Sequence, residues 1–341
     1  MMDRIMECVP NFSEGRDRKV IDGIVEAIAS ARCGSEAVQV LNVDPGEAAN
    51  RTVVTFVGTP EAVCEAAFQG VRAAGELIDM RLHHGTHPRS GATDVLPLVP
   101  VAGITLEECA DMARKLAKRI LDELGIASYC YEAAALRPWC RNLAACRAGE
   151  YEALPEKFSD PSRRPDFAPE AFDETAAKSG AINLGARNYL IAVNFNLDTT
   201  SVPLANSIAF DVREKGRKTV VDGKEVWTPG TLKGCKALGW YIDEYGVAQV
   251  SMNITDIEAA PLHKAYEEVC RAAASRGVKV TGTEIIGLVP RKVLTDAGTY
   301  FSGGAIKDEE ALMEEAVRRM GLDDLRPFDI HGKVIEFLMK R

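Results

Sequence analysis

The chain has 341 residues, 46% hydrophobic and 27% charged, and a formal net charge of -9. That balance predicts a soluble globular protein of two ordinary-sized domains, and the acidic surplus argues against nucleic acid or an anionic membrane surface as a partner. Nine cysteines, at positions 8, 33, 64, 109, 130, 140, 146, 235 and 270, form no C-x-x-C pair. Reduced thiols and a cytoplasmic setting are the simpler reading than a disulfide framework or a zinc ribbon. The N-terminus enters a strand directly without the pattern of a signal peptide, and no apolar run reaches membrane-spanning length.

Ile5 to Pro10 reads as a strand and Asn11 to Gly15 as a loop. Val20, Ile21, Ile24, Val25 and Ile28 then recur at helical spacing, and Gly34 stops that helix. Ala37 to Val43 and Thr52 to Val57 are strands on either side of an Asp44-Pro45-Gly46 turn. Thr59 followed by Pro60 starts a second helix, and Thr105 with Glu108 is a capping box for a third. Val95 to Val101 and Ile126 to Tyr131 are strands. Arg137 to Pro169, with its prolines and mixed charge, reads as a long connector.

The second half opens on a strand from Tyr189 to Asn196 and a helix from Ser201 to Glu214. Asp222-Gly223 predicts a tight hairpin inside 218–228, and strands at Ala237 to Tyr241 and Ala248 to Met252 follow. A helix from Pro261 to Ala274, a strand from Val278 to Ile286 and helices near Arg291 to Ala297, Glu309 to Met320 and Lys333 to Met339 complete the chain. Each half therefore runs strand, helix, strand, strand, helix, strand, the split βαβ order. The expected fold is α/β (α+β), with two ferredoxin-like, split βαβ sandwich lobes, 1–180 and 181–341. Mixed sheets and a ligand cleft between the lobes are expected with it.

Three of the five histidines, His83, His84 and His87, fall in one loop between Arg81 and Asp94, together with Arg89. Gly85, Pro88 and Gly91 keep it from being a helix or strand. Two chemistries fit such a cluster: a metal held by the histidines, or acid/base work by one of them with arginines holding an anion. No H-E-x-x-H helix or cysteine-containing zinc spacing is present, so acid/base work without a metal is favoured. His83 and His84 then read as supporting loop residues, His331 as exposed, and His263 as structural, its alternative being to face the cleft from the second lobe.

Several ordered stretches resemble one family. Cys8-Val9-Pro10-Asn11-Phe12-Ser13-Glu14-Gly15, Asn50-Arg51-Thr52-Val53, Gly85-Thr86-His87-Pro88-Arg89, Arg147-Ala148-Gly149-Glu150-Tyr151-Glu152, Leu238-Gly239-Trp240-Tyr241 and Gly287-Leu288-Val289-Pro290 are similar to glutamate formiminotransferase. That is the formiminotransferase part of formiminotransferase-cyclodeaminase. The resemblance implies transfer of a formimino group from N-formimino-L-glutamate to N5 of tetrahydrofolate, a step of histidine breakdown and one-carbon metabolism. It also implies tetrahydrofolate as co-substrate in a tunnel between two subdomains, and a homodimer. The family's catalytic histidine falls on His87 and an associated aspartate on Asp44. Its folate segment falls on Ala168-Pro169-Glu170-Ala171-Phe172-Asp173-Glu174-Thr175-Ala176-Ala177. Vertebrate forms have glycine where Ala168 stands, and the 218–228 stretch is longer than the resemblance suggests. Because the chain stops at Arg341, cyclodeaminase activity is not expected of it, and a separate cyclodeaminase is a possible partner.

Read as chemistry, that transfer asks one group to take a proton from N5 and return one to the leaving glutamate nitrogen, a task suited to the imidazole of His87. Asp44 would orient its ring, or serve only as a turn former. Arg51, Arg81 and Arg89 are candidates for the carboxylates of the donor and folate. Formyl transfer from N-formylglutamate, a non-catalytic folate-binding module and a metal-dependent hydrolase are the competing readings.

Overall fold

The first three helices begin where side chains cap them. In the computed structural model, which describes residues 4–339, Asp17 accepts a hydrogen bond from the Lys19 amide at the start of α1 (Arg18–Ser30). Thr59 caps α2 (Pro60–Leu77) in the same way. Thr105 and Glu108 form both bonds of a capping box on α3 (Leu106–Leu124), which Gly125 ends in the left-handed conformation. Each helix turns an apolar stripe inward. Ile24 and Ile28 of α1 and Val63 and Val71 of α2 are buried, each such side chain contributing roughly 1.5–3 kcal/mol.

Two compact units result, the first ending at Asn188 and the second starting at Tyr189. The first is built on a seven-stranded sheet of β1 (Ile5–Cys8), β2 (Asn11–Phe12), β3 (Gln39–Gly46), β4 (Arg51–Gly58), β5 (Thr93–Ala102), β6 (Ala127–Glu132) and β7 (Ala181–Ala186). β1 and β2 act as one interrupted strand. Each pairs antiparallel with β4 on one side and β5 on the other, and β3 pairs with β4. The order β3, β4, β1/β2, β5 is the split βαβ arrangement expected from the sequence. Beyond it β7 pairs in parallel with both β5 and β6.

Beyond Asn11–Phe12, a strand where a loop was expected, two details of the first sheet depart from the expected elements. Ala181–Ala186 lies beyond a boundary near Gly180, yet it pairs within the first sheet. Its sequence, Ala-Ile-Asn-Leu-Gly-Ala, carries little strand signal because small residues fill the places where neighbours press closely. A Cβ on Gly185 would sit 2.5 Å from the Tyr131 ring. The second concerns Asp44-Pro45-Gly46, which continues β3, with Pro45 opposite Thr52. The chain turns instead over residues 47–50.

Alternate residues of β6 and β7 face opposite ways, and the first unit has a hydrophobic cluster on each side. Cys130, Ile182 and Leu184 join α1, α2 and α3 in the larger one. Tyr129, Tyr131 and Ala181 pack with Cys140, Cys146, Leu154 and Phe158 of the connector. The connector is therefore folded structure, closed by a short helix α4 (Glu174–Ser179).

The second unit has a four-stranded antiparallel sheet of β8 (Ile191–Leu197), β11 (Cys235–Ile242), β12 (Val247–Ile254) and β13 (Val280–Ile286), in the order β11, β12, β8, β13. Again this is the split βαβ order. α5 (Val202–Val212) and α6 (Leu262–Ala274) pack on its core residues. β9 (Arg217–Val221) and β10 (Lys224–Thr228) form the hairpin that Asp222-Gly223 predicts, both turn residues having positive φ. The one helix expected from Lys333 to Met339 is instead two short ones, Ile330–Lys333 and Ile335–Leu338, because Val334 leaves the helix to bridge to Val289.

Gly180 joins α4 to β7 with a φ of 68°, and a Cβ there would meet the Ser90 carbonyl oxygen at 2.2 Å. Gly180→Ala is therefore expected to cost more than about 1 kcal/mol. It should lower the denaturant midpoint of the first unit; an unchanged midpoint would contradict this account of the junction.

Candidate active site

The histidine loop is fastened along its length. Gly85 lies against the β3–β4 turn so closely that a Cβ would be 2.3 Å from the Ala49 carbonyl oxygen. The Thr86 amide and hydroxyl both donate to Ala48 O, at 3.3 and 3.1 Å. Asn50, in the left-handed conformation, donates from Nδ2 to His84 O at 2.9 Å and accepts from the Gly15 amide at 3.0 Å. His83 donates from Nε2 to Asn50 O at 2.9 Å, since a carbonyl can only accept. At the far end Gly91 bridges to Gly180, and the Ala92 amide donates to Ser179 O.

Within this frame His87 is half-buried, and its Nδ1 lies 2.8 Å from Pro88 O. The same reasoning puts the proton on Nδ1, which leaves the lone pair on Nε2. Arg147, from the connector, brings its Nη2 to the same place. That one nitrogen donates to Pro88 O and to Asp94 Oδ2 (2.7 Å) and stands 3.3 Å from His87 Nδ1. Asp94 is fully buried at the start of β5. It accepts from the Ser90 amide at 2.8 Å and forms ion pairs with both Arg51 and Arg147. Arg51, at the start of β4, also donates from Nε to Asn11 Oδ1 at 2.9 Å.

Two guanidiniums against one carboxylate leave this cluster with one surplus positive charge. Burial, with Arg51 and Arg147 adding to it, pushes the His87 imidazole down to about 3. Burial would raise the Asp94 carboxyl, but Arg147 and Arg51 outweigh it and hold the group below the usual carboxylate range. The site is thus a neutral imidazole with an open base at Nε2, set beside a pair of arginines.

A pH dependence follows. With the folded-state pKa of His87 depressed, the unfolded chain binds the proton more readily than the folded one, so stability rises with pH in that range. Its contribution is complete above the ordinary histidine value of 6.5 and is lost as pH falls from there toward about 3. The Tm of the native protein should fall more steeply on acidification through this window than that of His87→Gln. Parallel curves would contradict the neutral imidazole.

The other residues expected at the site have different situations. Arg89 is buried and its fork is filled: Nη1 by Glu150 (3.0 Å) and Glu152 (2.8 Å), Nη2 by Glu152 (2.6 Å). Arg81 pairs with Asp79 and with Glu174, both at 2.6 Å, and so ties the loop's start to the 168–177 segment. Asp44 is half-buried on β3 opposite Val53, two residues from Arg51 on the neighbouring strand. His87 Nδ1 bonds to Pro88 O, with the Arg147 guanidinium standing beside it.

The 168–177 segment leads from Phe167, bridged to Ser128, into α4. There Asp173 caps the helix through the Ala176 amide, Phe172 meets Phe158 edge to face, and Ala177 O accepts from the Tyr151 hydroxyl. His84 is exposed. His263 belongs to the second unit, stacked 4.5 Å from the Tyr300 ring.

Sequence reasoning passed over Arg147 and the pairing role of Asp94. Arg147 was visible only as the head of a family-like motif and Asp94 only as the acid that closes the loop. Among the described residues no group of three or more His, Cys, Asp or Glu is arranged to hold a metal ion, and no helix is long and apolar enough to cross a membrane.

A split βαβ protein of two units, with a conformationally fixed histidine and paired arginines on the first, defines the class. Comparison with known sequences gives the family. The profile of the formiminotransferase domain's N-terminal subdomain matches residues 5–187, and that of the formiminotransferase domain matches residues 192–340. The chain belongs to the formiminotransferase family. It is 45% identical over 341 residues to formimidoyltransferase-cyclodeaminase of Sus scrofa, covering 99% of this chain and 60% of that protein. It is 41% identical over 300 residues to glutamate formimidoyltransferase of Streptococcus pyogenes serotype M1, covering 88% and 94%. With the Thermoplasma acidophilum protein of the same name it shares 39% over 317 residues, covering 92% and 98%. The chain therefore spans about three-fifths of the bifunctional relative and nearly the whole of the monofunctional ones.

Proposed function

We propose that the protein transfers the formimino group of N-formimino-L-glutamate to N5 of tetrahydrofolate, releasing L-glutamate. The observation that carries this reading, beside the family, is the tautomer of His87: a carbonyl fixes the proton on Nδ1 and leaves Nε2 free to act as a base. N5 attacks the amidine carbon and forms the new C–N bond, and its proton passes to Nε2 of His87. The same proton then goes to the glutamate nitrogen as the old C–N bond breaks, so the imidazole ends as it began. The resemblance assigns Asp44 to this chemistry and 168–177 to folate. Asp44 stands one strand from Arg51, and the 168–177 segment is tied to the loop by Glu174 and Arg81, which supports both assignments.

An imidazole held near 3 is a weak base at neutral pH, and the causes of that depression indicate what would correct it. An anion arriving beside the arginines offsets their charge and draws the histidine back toward the range in which it exchanges protons efficiently. Both substrates are carboxylates. A cytoplasmic homodimer, with a separate cyclodeaminase consuming the product, completes the reading.

The test is to incubate purified protein with tetrahydrofolate and either N-formimino-L-glutamate or N-formyl-L-glutamate, following the folate absorbance. Turnover of the formimino donor is expected. Turnover of the formyl donor alone, or folate binding without turnover, would contradict the proposal.

A further inference from the structure

We infer that Glu150 is a positioning residue for His87: it holds the peptide whose carbonyl keeps the proton on Nδ1. What that proton means for catalysis rests on the formimino-transfer reading.

The backbone gives the first sign. Glu150 has φ 56° and ψ -155°, a region that glycine adopts and other residues rarely do. The cost is not recovered as stability. The Glu150 side chain is 40% exposed, and its partner Arg89 is also held by Glu152 through both Nη1 and Nη2. A solvent-exposed ion pair contributes less than a strained non-glycine residue costs. Glycine would suit this backbone better but would lack the carboxylate, so the strain maintains the place of that carboxylate.

That place lies at the other end of the His87 hydrogen bond. Glu150 Oε2 accepts from the Arg89 amide at 3.2 Å and from Arg89 Nη1 at 3.0 Å. The Arg89 N–H and the Pro88 C=O belong to one planar trans peptide and point in opposite directions. Holding the N–H therefore aims the C=O, and Pro88 O is the acceptor 2.8 Å from His87 Nδ1. The neighbouring bonds complete the clamp. The Tyr151 amide donates to Arg89 O at 2.9 Å, and the Glu150 amide donates to Arg147 O at 2.7 Å. Glu152 meets Arg89 at the guanidinium and leaves the peptide to Glu150. Without the Glu150 carboxylate the peptide is free to turn its carbonyl away from the ring. The proton then settles on Nε2 as well, where it blocks the base.

The experiment compares Glu150→Ala, Glu150→Gly and Glu150→Gln with the native protein in three readings. The His87 tautomer is measured without substrate by long-range proton–nitrogen correlation, with His87→Gln identifying the signal. KM and kcat are measured with N-formimino-L-glutamate, and stability as the denaturant midpoint. The Ala and Gly variants are expected to gain a population protonated at Nε2. Their kcat should fall by roughly 10- to 100-fold, with KM changed by less than about threefold. Glu150→Gly should nevertheless have a midpoint at or above the native one and above that of Glu150→Ala, because it relieves the backbone. Glu150→Gln keeps an oxygen for the Arg89 amide, so it should keep the native tautomer and a kcat within about fivefold of native.

A native tautomer in both the Ala and Gly variants would overturn the inference. So would a Gly variant that loses stability and activity together, which would make Glu150 a structural prop. Absence of transfer by the native protein would overturn the functional reading alone, since the tautomer is measured without substrate.

Discussion

His87→Ala lowers kcat for formimino transfer by about 100- to 10,000-fold, the usual worth of a positioned proton-transfer group. KM for tetrahydrofolate should change little, because the ring is held by the loop carbonyl of Pro88 and by Arg147 and its assigned work lies in the transition state. The residual kcat should be nearly independent of pH between about 6 and 8, since the histidine that generates any pH dependence there has been removed. Retention of native turnover would remove the proton shuttle from the mechanism. A raised KM at native kcat would make His87 a binding residue instead.

Asp94→Ala is expected to be the most destabilising single substitution at the site, by about 3–5 kcal/mol. The carboxylate is fully buried and is the common partner of Arg51, Arg147 and the Ser90 amide. Its removal leaves two guanidiniums facing each other without a counter-charge, and an unpaired buried charge costs far more than the pair it came from is worth. The Tm of the first unit's transition should fall by about 6 °C or more. His87 should become still harder to protonate, because one of the influences raising its pKa is the Asp94 charge. A Tm within about 1 °C of the native protein would show that other groups balance the arginines.

Much of the scaffold was legible because its signals are local. The capping box at Thr105, the Thr59-Pro60 start and the Asp222-Gly223 turn each depend on a few adjacent residues, and each is present in the structure. The split βαβ order could be read twice because its strands alternate with strongly periodic helices. β7 was missed for the opposite reason. Wedged between two parallel neighbours, it is built of small residues, and its glycine answers to a tyrosine on β6 rather than to any local pattern.

The site divides along the same line. The His83–His84–Gly85–Thr86–His87 cluster declares a loop with chemistry in it. What decides that chemistry is the meeting of Asp94 with Arg147, 53 positions away in sequence, and with Arg51, 43 away. Only the fold of the connector over β6 brings Arg147 there. For the same reason Arg89, adjacent to His87 in sequence, looked like the natural anion ligand until Glu150 and Glu152 were found to occupy it.

The most direct test of the account is the protonation of the His87 ring itself, measured by long-range proton–nitrogen correlation on ¹⁵N-histidine-labelled protein near neutral pH, with His87→Gln identifying the signal. The account predicts a neutral imidazole with its proton on Nδ1 and an unprotonated, pyridine-like Nε2. A ring protonated at Nε2, whether as the other tautomer or as imidazolium, would contradict it.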